Sequence, residues 1–359
     1  MKSAPISVAQ VITGTAAGLA LLYFLRSILI PVVIAFVLAI LVDALVRSIV
    51  KRWPRAPGWA VAAAAGAIIG GAAFGAIYVL AKGGAEIVAT GPALLARLDQ
   101  LVEQIGYSLG ADQDIHLSTI VGQVSLPSLA GEVLQQLQGV ISGLFLMLVY
   151  FGFMLGTRGR IAPKVRSLAA ASSSDTGRIR AGMSKIAADI ETYVWVQTLT
   201  GLMLAGISGA LMVGVGLENA LFWTVILFLL SFIPVIGVTV GSVAPALFAL
   251  LQFPTYWQAA LVFGGIQVAA FVVGNLIYPR MQADTQNIDP VATILALSFW
   301  GFLWGIPGAF LAVPLTLMLM MVCAQFESSR WVAVLLSHDG GPNFPSALPG
   351  KPPADDQPG

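Results

Sequence analysis

The sequence predicts an all-α, polytopic membrane fold, and three observations carry that prediction. Hydrophobic residues make up 58% of the 359 residues, charged residues only 10%, and the mean hydropathy is +0.89. Soluble domains carry about 25% charged residues, and no soluble core could hide so much apolar surface. Apolar runs long enough to cross a bilayer recur along the chain. Two of them, 219–251 and 291–323, are broken at the centre by proline and glycine: Phe232-Ile233-Pro234-Val235-Ile236-Gly237 and Trp304-Gly305-Ile306-Pro307-Gly308. At roughly 33 residues each, against about 20 for one spanning helix, they are too long for one crossing and too short for two with a turn. A helix that enters to mid-depth, turns at the break and leaves by the same face fits. The predicted architecture is about six full spans plus two such re-entrant hairpins.

Four conventional spans come first, at 8–25, 28–50, 59–80 and 137–156. The first follows Lys2 and is too long, with a second span too close behind, for a cleaved signal peptide. Arg26 and Pro31 mark a tight turn between the first two. Orientation follows the lysines and arginines of the loops. Arg47, Lys51, Arg52 and Arg55 follow the second span. Arg158, Arg160, Lys164, Arg166, Arg178, Arg180 and Lys185 follow the fourth, so the two loops hold most of the 18 basic residues. Both are expected in the cytoplasm, together with the N-terminus.

The stretch 82–136 carries Lys82 and Arg97 against Glu86, Asp99, Glu103, Asp112, Asp114 and Glu132, and belongs outside. Leu94, Leu98, Leu101 and Ile105 recur there at helical spacing. A polar turn at 110–114 and a weaker helix with Val133, Leu134 and Leu137 follow. On the cytoplasmic side Ile179, Met183, Ile186 and Ile190 form a similar stripe. Both stripes suit helices lying in the membrane interface, and both equally suit packing on the protein's own helices.

A fifth span at 193–215 leads to the first broken segment, entered from outside. A polar turn at 252–255 and a span at 256–278 lead to the second, entered from the cytoplasm. The unit of span plus hairpin therefore occurs twice in opposite orientation, the inverted-repeat pattern of secondary transporters. After Arg330 the chain turns proline- and glycine-rich, which predicts a disordered cytoplasmic tail. The organisation read from these segments is 1–156, the first four spans with the outer insertion 82–136; 157–192, a basic cytoplasmic helical loop; 193–330, the transport domain; and 331–359, the tail.

Irregular backbone inside a bilayer survives only where protein buries it or water wets it. Its unpaired amides and carbonyls can bind ions or polar groups. The candidate path residues at the two breaks are therefore Pro234, Gly237, Gly241, Pro245, Gly305, Pro307, Gly308 and Pro314. A kinked full span is the other reading of each break. Among polar groups at membrane depth (Gln197, Thr200, Gln267, Asn275), Gln267 and Asn275 join the candidates, as do Arg280 and Asp289 near the span end. Arg280 also reads as an interface residue with its charge in the headgroups.

Asp43 and Arg47 are spaced for an ion pair on one helix face. Trp300 and Trp304 fall inside a hairpin limb and read either as core or as cavity lining. Cys323 stands alone, excluding an intrachain disulfide. His116 and His338 have no metal-ligand neighbours, so no metal is expected. The absence of a GxxxxGK[ST] loop argues against an ATP-driven pump, and no convergent catalytic group argues for an enzyme. Gly14/Gly18, Gly66/Gly70, Gly71/Gly75 and Gly301/Gly305 have GxxxG spacing, which suits helix packing and leaves a homo-oligomer open. The expected partners are the lipid bilayer and a small solute or ion, with no nucleic acid and no cofactor beyond coupling to H+ or Na+.

Taken in order, Phe232-Ile233-Pro234-Val235-Ile236-Gly237, Tyr278-Pro279-Arg280, the stretch from Phe299 to Gly308 and Ala312-Val313-Pro314-Leu315-Thr316 resemble the autoinducer-2 exporter family. The resemblance covers about 12–330. It implies a multi-pass permease of the bacterial cytoplasmic membrane, an exporter, with both termini cytoplasmic. Members of that family are associated with signalling-molecule efflux and with sodium/proton exchange. Three positions depart from its pattern: Val235 for a tyrosine, Val238 for a proline, and Asp289 for a histidine before Pro290. The expected function is a secondary transporter that exports a small polar solute, with its site between the hairpin tips. A sodium/proton antiporter using Asp289 or Asp43 and a non-transporting scaffold are the alternatives.

Overall fold

The computed structural model describes residues 8–54, 57–108, 139, 142–143, 145–157, 176–234, 236–282, 288–325 and 329–338. Among them every regular element is a helix. In chain order these are α1 Val8–Phe24, α2 Arg26–Arg52, α3 Gly58–Ser108, α4 Phe145–Thr157, α5 Thr176–Val215, α6 Ala220–Ser231, α7 Ile236–Gln252, α8 Trp257–Val272, α9 Tyr278–Gln282, α10 Pro290–Trp304, α11 Ile306–Phe310, α12 Ala312–Gln325 and α13 Arg330–Leu336. A π-helical turn, Val273–Ile277, joins α8 to α9.

Four stretches are long and apolar enough to cross a membrane: Arg26–Arg52, Gly58–Gln104, Ala188–Val215 and Trp257–Met281. They coincide with four of the six expected spans. The other two expected spans correspond to α1 (17 residues) and to α4, of which Phe145–Thr157 is described. α6, α7, α10 and α12 are the limbs of the two broken segments. α6 has 12 residues, so it extends about 18 Å, well short of a hydrocarbon core of about 30 Å. α6 packs along α7, and α10 packs along α12, so each broken segment is a helical hairpin and not a kinked span.

Two compact units divide the chain. One comprises 42–151 and 196–281 and holds the first hairpin, α3, the second half of α5, and α8. Its core gathers Leu204 and Met212 of α5, Leu227 of α6, Phe248 and Ala249 of α7, and Val262, Ile266 and Ala269 of α8. The other comprises 1–41, 152–195 and 282–359 and holds α1, the second hairpin and α13. Leu303, Leu311, Val313, Leu317 and Met320 are buried in it.

Two elements differ from expectation in how they continue. The third span and the outer amphipathic stretch are a single helix of 51 residues, about 75 Å long at 1.5 Å per residue. Its outer part does not lie free in the interface: Ile87 and Leu94 pack on the core of the hairpin unit, and Leu101 is buried. Of that stripe, Leu94 and Leu101 are covered by the protein itself, and the side chain of Ile105 lies outside the described residues. The expected turn at 110–114 and the helix around Val133 lie outside the described residues, as does His116. Likewise α5 runs unbroken for 40 residues, from the stripe expected on the cytoplasmic side into the span. Ile190 of that stripe is fully buried, whereas the side chains of Ile179, Met183 and Ile186 lie outside the described residues. The expected tail begins differently too: its first residues form α13, with Ala333 fully buried, and 339–359 lie outside the described residues.

Candidate functional site: hairpin tips, hairpin mouths and a π-turn

The tip of the first hairpin begins where α6 ends. Ile233 N–H donates to Leu230 O at 2.8 Å, Ile236 N–H to Pro234 O at 2.7 Å and Gly237 N–H to Ile233 O at 3.0 Å. Pro234 is half-buried at the turn and starts no new bond, since it has no N–H. Gly237 is buried, and a Cβ there would overlap the backbone carbonyl of Leu230. One turn on, a Cβ on buried Gly241 would meet Leu227 Cδ1 at 2.5 Å. Pro245, inside α7, is also buried. Val235 lies outside the described residues, and Val238 is half-buried against the core.

A helix end at membrane depth leaves carbonyls without donors. Gln197 of α5 answers this at the tip: its Nε2 donates to Ser231 O at 2.7 Å. Thr200, three residues on, returns its hydroxyl to Val196 O at 2.8 Å and is buried. Gly201 and Gly209 give α5 its close approach to the first limb. A Cβ at either would come within 2.6 Å of Ser231 Oγ or Thr224 Oγ1.

The mouth of the first hairpin is closed by one side chain. Gln252, at the end of α7, accepts the Glu218 N–H on Oε1 at 2.8 Å and donates from Nε2 to Gly216 O at 3.0 Å. Gly216 (φ 81°) and Asn219 (φ 55°) supply the left-handed backbone that reverses the chain there.

The second hairpin repeats this plan with different residues. Gly305 breaks the limb at φ 69°, ψ −145°, a region that a residue with a Cβ rarely enters. Pro307 opens α11 in the first turn, where a missing N–H costs nothing. Gly308 is buried, and a Cβ there would overlap the backbone carbonyl of Trp300. The two hairpins thus share a device: a buried tip glycine laid on a carbonyl of the preceding limb. Pro314 is buried in α12.

Trp300 and Trp304 are buried core residues, not cavity lining. Trp300 Nε1 donates to Thr316 Oγ1 at 3.1 Å across the hairpin, and Trp304 Nε1 donates to Leu22 O of α1 at 3.0 Å. Their rings lie 5.4 Å apart.

At the mouth of the second hairpin Asp289 is the N-cap of α10. Its Oδ1 accepts Val291 N–H at 2.7 Å and Ala292 N–H at 3.3 Å, and its own N–H donates to Leu336 O at 3.1 Å. His338 Nδ1 lies 4.0 Å from its Oδ2, an ion pair whenever the imidazole is protonated. Asp43, the other carboxylate singled out, is half-buried on α2.

Gln267, Asn275 and Arg280 belong to α8 and its extension, and all three are exposed. Gln267, Phe271 and Asn275 recur every four residues and so share one face of the helix. Between them the helix widens. Tyr278 N–H reaches back five residues to Val273 O. Pro279, the next residue, has no N–H and cannot restore the ladder. Asn275 Nδ2 donates to Phe271 O at 3.1 Å, taking up a carbonyl where the register shifts. π-turns inside helices concentrate at functional sites. Sequence reasoning missed this turn, the tip role of Gln197 and the mouth role of Gln252. An isolated glutamine within an apolar span was a signal for the second; the first had only Pro279.

The model of a family described as "AI-2E family transporter" matches residues 12–327. Over 321 residues the chain is 26% identical to the AI-2 transport protein TqsA of Escherichia coli (strain K12), an alignment that covers 88% of this chain and 90% of that one. A putative transport protein of Haemophilus influenzae is 23% identical over 320 residues, covering 86% and 90%. The putative transport protein YhhT of Escherichia coli (strain K12) is 32% identical over 171 residues, covering 47% and 48%. With the family match running through both hairpins and the π-turn, the chain belongs to the AI-2E transporter family, as a multi-pass membrane permease.

Proposed function

We propose that the protein is a secondary transporter of the bacterial inner membrane that exports a small polar solute, such as a signalling molecule, by alternating access. The observation that carries this reading is a pair of exposed polar side chains on one side of α8 and the π-turn that follows it, with Phe271 between them. Gln267 and Asn275 stand exposed within a stretch, Trp257–Met281, that is otherwise apolar enough to span. Polar groups facing hydrocarbon are costly, so such a face belongs to a wetted path. The π-turn that contains Asn275 and the proline–glycine breaks of the two hairpins add irregular backbone, which inside a bilayer survives only where protein buries it or water wets it. A solute rich in hydroxyls or amides would exchange its hydration for these groups. Both relatives matched over nearly their whole length carry names of transport proteins, one of them for AI-2.

The driving force in this proposal is a gradient of protons or sodium. Flux into reconstituted vesicles across a panel of small polar solutes, with and without each gradient, tests it. Replacing Asn275 and Gln267 with leucine should lower flux at least about tenfold, the loss of roughly one hydrogen-bonded contact to a solute. Unchanged flux in the double variant would remove the α8 face from the path.

A further inference from the structure

We infer that α13 is an interfacial membrane helix that straps the mouth of the second hairpin, with Trp331, Val334 and Leu335 seated at the headgroup–acyl boundary of the chain's own bilayer. Both ends of the strap are visible. Ser329 Oγ donates to Cys323 O at 3.0 Å, tying the start of α13 to α12, and Ala333 is fully buried where α13 packs back on that limb. At its other end, Leu336 O accepts the N–H of Asp289 at 3.1 Å, and His338 stands 4.0 Å from the Asp289 carboxylate. α13 therefore begins beside the end of one limb and finishes beside the cap of the other.

Its outward side is an apolar stripe. Trp331 is 66% exposed, Val334 39% and Leu335 70%, at the spacing of one helical face. The helix has seven residues, about 10 Å, too short to enter the hydrocarbon on its own. It follows an apolar limb whose Leu319 and Val322 are exposed, a surface that suits lipid chains at the end of α12. Glu327, Ser328, Ser329 and Arg330 follow in sequence, a polar composition that suits the boundary and not the hydrocarbon. A tryptophan beside an arginine at that depth is the composition of interface anchors. A second copy of the chain is the poorer occupant: three side chains fall far short of the roughly 800 Å² per partner that a stable interface buries.

The test uses the full-length protein in phosphatidylcholine–phosphatidylglycerol vesicles, with Cys323→Ser as background and an NBD fluorophore on Leu335→Cys. A label on Thr255→Cys, in an exposed turn, is the reference for an aqueous position. The expected result is emission shifted to the blue of the Thr255 label and quenched more by doxyl groups near the headgroup than by doxyl groups deep in the chain. Emission matching the Thr255 label, with quenching by aqueous iodide, would overturn the inference. A blue shift without doxyl quenching would also overturn it, by assigning the stripe to a protein partner. A second label at Val334→Cys must agree, which guards against perturbation at one site. None of these readouts depends on transport, so the outcome stands apart from the proposed export.

Discussion

Single residues decide whether the hairpins close. Gly237→Ala and Gly308→Ala each drive a methyl group into a backbone carbonyl, at Leu230 and Trp300. Neither carbonyl can swing aside as a side chain would, so each variant should lose at least about 2 kcal/mol, the usual cost of overpacking. Thermal unfolding of the purified protein in detergent measures this. Gly206→Ala, where a Cβ meets nothing within 4 Å in α5, should be neutral or slightly stabilising by about 0.5–1 kcal/mol. Equal losses at all three positions would contradict the packing argument. Asp289 separates two readings of one carboxylate. If it acts only as a cap, Asp289→Asn keeps both backbone bonds and transport, while Asp289→Ala costs about 0.5–2 kcal/mol of stability. If it carries the coupling proton or sodium, Asp289→Asn abolishes flux while stability holds. The positions of these residues were legible in the sequence, because proline and glycine announce a backbone requirement by type alone. What they touch was not legible. Gln197 and Ser231 are 34 positions apart, and their bond exists only once α5 has packed on the hairpin.

Elements reveal a second layer, in which each hairpin is fastened at its mouth as well as its tip. Gln252 ties the entrance of the first hairpin to its exit, and Asp289 with α13 ties the second. Outside this fastening, α3 runs along the first hairpin. Arg97 Nη2 donates to Pro254 O at 3.3 Å, and Tyr256 Oη donates to Gln104 Oε1 at 3.2 Å. Gln252→Leu removes two bonds and leaves a carbonyl and an amide to compete for water, for a loss of about 1–3 kcal/mol. Tyr256→Phe removes one exposed bond and should cost under about 1 kcal/mol, so denaturation midpoints should separate the two clearly. The hairpins were legible as elements because a length between one and two crossings admits few solutions. The continuity of α3 was not. Its outer half looks separate because charge rises after Lys82, yet charge ends a membrane span without ending a helix, and Gly83, Gly84 and Pro92 are all accommodated within it. α13 was read as tail because seven residues are too few for periodicity to stand out against the glycines and prolines that follow.

At the scale of the whole molecule, family membership and composition agree on a permease, and the substrate rests on the proposal for α8. Alternation of the basic loops predicts that the turn at Thr255 and the end of the span at Arg280 face opposite sides. Cysteines introduced there in a Cys323→Ser background should react with an impermeant maleimide from opposite faces of sealed vesicles, and labelling of both from one face would sink the inverted arrangement. Composition carried the membrane class, and lysine and arginine placement carries the orientation that this labelling checks, since that placement is set by the membrane and not by packing. The sequence could not carry the solute, because recognition depends on which few polar groups meet around it, and the π-turn at Val273–Ile277 leaves little trace in composition. The most direct measurement is solute efflux from energised proteoliposomes containing the wild-type chain or the Asn275→Leu, Gln267→Leu double variant at matched folded yield. The account predicts gradient-dependent efflux of a small polar solute that falls at least about tenfold in the variant, the equivalent of about 1.4 kcal/mol. Wild-type vesicles that pass no polar solute under any ion gradient, or a variant as active as wild type, would contradict it.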